Sequence, residues 1–238
     1  MTTGDTFKNL EKALVISQSE TLEINKLLAR NGFRIVSRDP DFILCYGGDG
    51  TILFAERKLP QIPKLIIKKS EICRKCDYTF HDLAKILRKI RNREFIINKK
   101  MKLETMFKQK RLVGLNEIQV HTRLPIQAIR FSLAVNGREY KDLIGDGVIV
   151  ATPFGSTGYY QSTGGRKFKK GIGVSFNNLH KKKIRSFIAP EQAEINITVN
   201  RGRAWISADN NENLLELKDF GIVAIRKSRS VANFISIR

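Results

Sequence analysis

Gly47-Gly48-Asp49-Gly50-Thr51 is the stretch whose residue types and spacing speak most directly of chemistry. It follows Phe42-Ile43-Leu44-Cys45-Tyr46, an unbroken apolar run of the kind that a strand buried on both faces carries. In open parallel sheets, ligands bind beyond the carboxyl ends of the strands. Glycines there let backbone approach a phosphate closely, and backbone N–H groups with the next helix N-terminus supply donors to an anion. The spacing is not Gly-x-Gly-x-x-Gly, and no Lys-Ser/Thr follows to make a nucleotide-triphosphatase loop. Asp49 is the odd member. A carboxylate in an anion loop repels phosphate unless it binds Mg²⁺ or takes a proton from an attacking hydroxyl. The plain alternative is a tight turn in which Asp49 caps the following helix.

A second stretch runs Gly145-Asp146-Gly147-Val148-Ile149-Val150-Ala151-Thr152-Pro153-Phe154-Gly155-Ser156-Thr157-Gly158-Tyr159-Tyr160. A strand over 148–151 enters a turn dense in Gly, Ser and Thr, and Pro153 fixes its start. Hydroxyls, exposed N–H groups and two aromatic faces suit a nucleotide: polar groups for ribose and base edges, a ring for stacking. A long surface loop is the alternative. Third, Asn116-Glu117 stands at the start of a strand and offers donor and acceptor groups that can hold a ribose diol or adenine.

The elements that must position these residues fall into two kinds. Residues 11–16, 33–36, 41–46 and 65–67 read as strands. Residues 19–31, 51–58 and 80–92 read as helices, the last amphipathic through Leu83, Ile86, Leu87 and Ile90. Strands alternating with helices predict a parallel α/β unit over 1–95. From 96 to 238 short alternating segments dominate, with Asn136-Gly137 as a hairpin turn, and predict a β-rich unit.

Composition narrows the classes. A hydrophobic fraction of 42% and a charged fraction of 28% belong to a globular chain. No apolar run approaches the ~20 residues of a membrane span, and no secretory leader stands at the N-terminus, so the expected location is the cytoplasm. Cys45, Cys73 and Cys76 are too few for a disulfide framework. Cys73-x-x-Cys76 with His81 falls short of the four ligands of a structural zinc site and reads as ordinary thiols. Lys plus Arg number 43 against 23 Asp plus Glu, a formal net charge of +20 that attracts polyanions. Runs such as Lys167-Phe168-Lys169-Lys170 and Lys181-Lys182-Lys183 read as solvated loops.

Taken together, Gly47–Leu53, Asn116-Glu117 and the stretch Asp146–Tyr159 resemble the NAD kinase family in order and spacing. Thr152-Pro153-x-Gly155-Ser156-Thr157-x-Tyr159 is the most specific part. The Gly-Gly-Asp-Gly-Thr turn is shared with 6-phosphofructokinases and diacylglycerol-type lipid kinases. The resemblance implies an α/β N-terminal domain of Rossmann-like, 6-phosphofructokinase/diacylglycerol kinase-like type and a β-sandwich-like C-terminal domain, with NAD bound in the cleft between them. It implies Asp49 as general base on the adenosine 2′-hydroxyl, with Gly48, Gly50 and Thr51 at the donor phosphates. Asn116 and Glu117 would hold the ribose, Phe154, Thr157 and Gly158 would line the adenine pocket, and Asp146 and Tyr159 would face the second nucleoside. Mg²⁺ or another divalent cation with ATP or polyphosphate would serve as donor, no direct protein metal site is expected, and a homo-oligomer, dimer or tetramer, would complete the site. Two other readings were weighed: a lipid or other nucleoside kinase of the same superfamily, and a non-catalytic nucleic-acid-binding protein on this scaffold, which the charge suits and Asp49 does not. Three positions depart from the family. Pro63-Lys64-Leu65-Ile66-Ile67-Lys68-Lys69-Ser70 lacks the expected glycines and substitutes cations, Gly158 stands where Ala is common, and Asp209 is followed by Asn210-Asn211 in place of Gly.

Overall fold

A computed structural model describes residues 9–69, 75–180 and 184–238. Cys73 and the Lys181–Lys183 run lie outside the described residues. The chain divides into two compact units, one of residues 1–100 with 231–238, the other of residues 101–230.

The first unit holds β1 (Lys12–Ser17), α1 (Leu22–Arg30), β2 (Arg34–Ile35), β3 (Phe42–Gly47), α2 (Asp49–Lys58), β4 (Lys64–Lys68), β5 (Tyr78–Thr79) and α3 (Leu83–Arg91). β1 lies between β2 and β3, β3 also pairs with β4, and all these pairings are parallel. The last residues of the chain return here: Phe234 aligns with Lys64 in a further parallel pairing. The apolar periodicity decides which face each helix covers. Ile24 and Leu28 of α1 and Leu83, Ile86, Leu87 and Ile90 of α3 pack with Phe42, Leu44, Leu65 and Ile67 on one face of the sheet. Ala55 of α2 packs with Ile43 and Cys45 on the other. Both faces of β3 are therefore buried, as its unbroken apolar run requires.

The second unit is a β-sandwich. Two long strands, β6 (Phe95–Phe107) and a C-terminal strand introduced below, have residues in both units. β6 leads through β7 (Lys110–Gly114) to β8 (Glu117–Thr122), β9 (Ile129–Val135), β10 (Arg138–Gly145) and β11 (Gly147–Ala151). After the short α4 (Tyr159–Ser162) come β12 (Ile172–Asn177), β13 (Phe187–Ala189), β14 (Ile195–Arg201), β15 (Ala204–Ala208), β16 (Leu215–Leu217) and β17 (Ile222–Ile237). One sheet has six strands in the order β13-β12-β11-β8-β15-β16. The facing antiparallel ladder runs β10, β9, β14 and the first residues of β17. Alternate residues of both, Ile118 and Val120, Phe131 and Leu133, Val148 and Val150, Ile195 and Ile197, meet in a single core. Where short segments were expected, β6 runs unbroken over 13 residues.

Candidate functional site

The first unit places Gly47–Thr51 as expected, at the carboxyl end of β3 and the start of α2. Because the strand order reverses at β1 and β3, this turn stands at the topological switch point of the sheet. Gly47 has no room for a side chain: a Cβ would fall 2.2 Å from Thr51 Oγ1. Among the described residues beyond its chain neighbours, no heavy atom lies within 4 Å of where a Cβ on Gly48 would be. Asp49 is the first residue of α2, where the helix dipole favours a negative charge. Its Oδ2 lies 3.2 Å from Lys75 Nζ.

α2 is anchored from below. Lys64 is fully buried and its Nζ makes a close ion pair with Glu56 of α2. It also donates to the carbonyls of Leu59 (2.9 Å) and Pro60 (3.3 Å). Beside them, burial pushes the Cys45 thiol up to about 12, so Cys45 stays protonated and is no nucleophile. Cys76 Sγ lies 3.7 Å from the Gly47 carbonyl. Among the described residues, no three His, Cys, Asp or Glu side chains gather as a metal cage.

The second unit gathers a cluster of polar groups around the buried Asn116-Glu117. β8 starts at Glu117 between β11 and β15, and the registers Ala151↔Glu117 and Ala208↔Ile118 bring the residues after β11 and β15 to its two sides. On one side Asp209 follows β15. Its carboxylate accepts from the backbone N–H groups of Leu115 (2.7 Å), Asn116 (2.7 Å) and Glu117 (3.2 Å). On the other side buried Thr152 donates its hydroxyl to Leu115 O at 2.6 Å and accepts from Gly155 N at 3.0 Å. A Cβ on Gly155 would lie 2.1 Å from Asn116 O, so only glycine allows the turn to close on this strand. Gly158 then comes to rest over both side chains: a Cβ there would meet Glu117 Oε2 at 3.5 Å and Asn116 Nδ2 at 3.7 Å. Asn116, Glu117, Thr157 and Gly158 are thereby brought together, with Phe154 half-buried in the same turn.

One expectation needs revision. Tyr160 does not offer a free aromatic face. It is buried against Phe168, ring centroids 5.3 Å apart, on the outer side of Ile149 and Ala151, and desolvation pushes its phenol up. Only Tyr159 is open to solvent, 63% exposed. Asp146 stands at the opposite end of β11 from Asn116. Asn116 lies level with Thr152, six residues from Asp146, a separation of about 20 Å at ~3.4 Å per residue, and Asp146 accepts from Asn178 Nδ2 at 2.6 Å. Asp209 and Lys75 were not singled out as site residues. Asp209 carried one faint signal, the Asp of an expected Asp-Gly pair.

The first unit thus carries a glycine turn with an acid at the switch point of a parallel sheet, and the second a cluster of amide, carboxylate and hydroxyl groups at one end of a sandwich sheet. A model of the ATP-NAD kinase C-terminal domain matches residues 115–237. The NAD kinase of Methanosphaera stadtmanae is 30% identical over 139 residues, 58% of this chain and 50% of that protein. The NAD kinase of Thermoplasma volcanium is 29% identical over 222 residues, 91% of this chain and 81% of that one. In fold, the chain is similar to an NAD kinase from Archaeoglobus fulgidus solved in complex with ATP, with a TM-score of 0.81, 23% identity, and 96% and 94% of the two chains covered. The chain belongs to the NAD kinase family. Among the described residues no helix is long and apolar enough to cross a membrane.

Proposed function

We propose that this chain transfers the terminal phosphoryl group of ATP, or of inorganic polyphosphate, to the 2′-hydroxyl of the adenosine ribose of NAD, giving NADP. The observation that carries the reading is the cluster of Asn116, Glu117 and Gly158, held in shape from both sides by Asp209 and Thr152 within the family-matched region. Asn116 and Glu117 bind the ribose diol, and Phe154, Thr157 and Gly158 receive the adenine. Gly48, Gly50 and Thr51 take the donor phosphates at the start of α2, where N–H groups and dipole favour anions. Asp49 accepts the proton as the O2′–H bond breaks. The oxygen's electron pair forms the new O–P bond while the bond from the terminal phosphorus to the bridging oxygen breaks, its electrons leaving with the shortened donor.

A divalent cation fits this site in one way. Without a three-residue cage among the described residues, Mg²⁺ would be carried by the donor phosphates with Asp49 as the nearest carboxylate. It would neutralise charge on the phosphates. Asp146 and Tyr159 bind towards the second nucleoside. The distance of Asp146 from Asn116 along β11 supports its serving a neighbouring subunit's site in a homo-oligomer.

The test is NADP formation by the purified protein from NAD and Mg²⁺ with ATP, then with polyphosphate. Absence of product with both donors would refute the reading. Asp49→Asn is expected to lower kcat by about 10²–10⁴-fold, the range of a positioned general base, with NAD binding retained. Turnover near that of the unaltered protein would remove Asp49 from its role.

A further inference from the structure

The segment after Pro63 lacks the family's glycines and carries cations instead, and the structure shows where some of them stand. Lys68 lies in register beside Gly47. Lys69 Nζ contacts Ser19 Oγ, just past the end of β1. Lys75, from the following turn, reaches Asp49 Oδ2 at 3.2 Å, and the next residue places Cys76 Sγ 3.7 Å from Gly47 O. The carboxyl edge of the parallel sheet therefore carries several lysines, and Lys75 is the one seen against the carboxylate of the glycine turn.

Lys75 differs from the others in burial. Its side chain is 5% exposed, while that of its partner Asp49 is 40% exposed. A surface ion pair is worth little and is commonly an accident of two mobile side chains. An ammonium withdrawn from water is different: it is costly unless an anion accompanies it. Asp49 fills that need in the ligand-free protein. Yet a base must present its carboxylate to a hydroxyl, and one engaged by an ammonium is poorly placed to do so. An arriving phosphate brings more negative charge than Asp49 does, and among the described residues nothing stands within 4 Å of where a Gly48 Cβ would lie.

We propose that Lys75 is a donor-binding residue that exchanges partners, leaving Asp49 for the terminal phosphate oxygens of the donor and so freeing Asp49 to take the acceptor's proton. No bond is made or broken in this exchange. The lysine supplies by charge what the family's glycine backbone would supply by N–H groups, and it stands where charge develops on the transferring group. The inference rests on the phosphoryl-transfer reading above. It names a residue that the family motifs do not contain.

The test uses the intact chain and inorganic tripolyphosphate as probe, titrated by calorimetry, with NAD titrated separately. Lys75→Gln is expected to weaken tripolyphosphate binding at least ~10-fold, in line with loss of a charge-assisted contact, while NAD affinity stays within about two-fold. Lys75→Arg, which keeps the charge, is expected to restore most of the loss. In turnover, KM for the donor should rise far more than KM for NAD. Should Lys75→Gln lose its cooperative thermal transition, Lys75→Met, which keeps the stem and removes only the charge, is measured in its place. Unchanged tripolyphosphate affinity in the neutral variant, or equal weakening towards NAD, would overturn the proposal. Tripolyphosphate binding needs no acceptor, so failure to make NADP would count against the acceptor assignment and leave the role of Lys75 to be judged by the titration.

Discussion

Replacing Asp209 by Asn tests how the ribose pocket is held. The carboxylate accepts three backbone N–H groups from consecutive residues, Oδ2 from Leu115 and Oδ1 from Asn116 and Glu117. Asn keeps the shape and one accepting oxygen. If that oxygen takes the Oδ1 place, the amide NH₂ faces the N–H of Leu115, and a 2.7 Å charge-assisted bond becomes a donor-to-donor contact. Hydrogen bonds to charged groups contribute about 1.5–3 kcal/mol each, and the two that remain lose their ionic component. We expect a net cost of about 2–3 kcal/mol. The local consequence is sharper than the global one. Amide exchange at Asn116 and Glu117 should quicken by about 30-fold or more, since 1.4 kcal/mol corresponds to a factor of ten in an opening equilibrium. KM for NAD should rise, because the ribose-binding side chains grow from this backbone, while KM for the donor stays put. Hydrogen exchange read by mass spectrometry on the peptide holding Leu115–Glu117, beside steady-state kinetics, decides the matter. Unchanged protection at 115–117 together with unchanged KM for NAD would show that the sandwich alone fixes this strand start.

Two further outcomes follow from the same structure. Gly155→Ala drives a methyl to 2.1 Å from Asn116 O and 2.6 Å from Asn116 Cα, both backbone. It should cost about 3 kcal/mol, at the upper end for forced overpacking, and abolish NAD binding, whereas Gly158→Ala meets nothing nearer than 3.3 Å and should keep both fold and turnover. Urea unfolding and NAD titration of the two variants give the contrast. Acid sensitivity should trace to Glu104: burial would raise its carboxyl, but the hydrogen bond and charge of Arg111 (2.6 Å), with Ser228 (3.0 Å) and Arg226 (3.4 Å), hold it below the ordinary 4.5. A depressed folded value means that its stabilisation is complete above pH 4.5 and is lost as pH falls through the folded value. Glu104→Gln should thus lower the urea midpoint at pH 7, with a deficit that shrinks progressively as pH falls below 4.5; a deficit that stays constant down the acid range would reject the assignment.

Much of the first unit could be read locally. β3 betrays itself by an unbroken apolar run and α3 by four apolar residues at helical spacing, because each is decided by which faces it buries. The glycine turn was legible for the same reason, lying between them. What escaped depends on residues far apart in the chain. Asp209 reaches the backbone of Asn116, 93 residues away, only because β8 and β15 are neighbours in the sheet. Tyr159 and Tyr160 are identical in type; which one turns inward is set by Gly165 and Gly173, whose missing side chains leave room for the Tyr160 ring. That same Gly173 made β12 look like loop, since glycine weakens a strand pattern where it serves close packing. Nor does any local feature announce that residues 231–238 return to the first unit.

The buried pair of Glu56 and Lys64 constrains how this chain can change over generations. Losing either charge alone leaves the other stranded out of water, at about 3–5 kcal/mol, a large share of a domain's stability. Exchanging both together for apolar residues of like volume is often harmless or stabilising. The two positions therefore form a mutational valley that single steps do not cross. Since Glu56 belongs to the helix that begins with Asp49, the base inherits that inertia: the platform beneath it drifts only when two codons move at once.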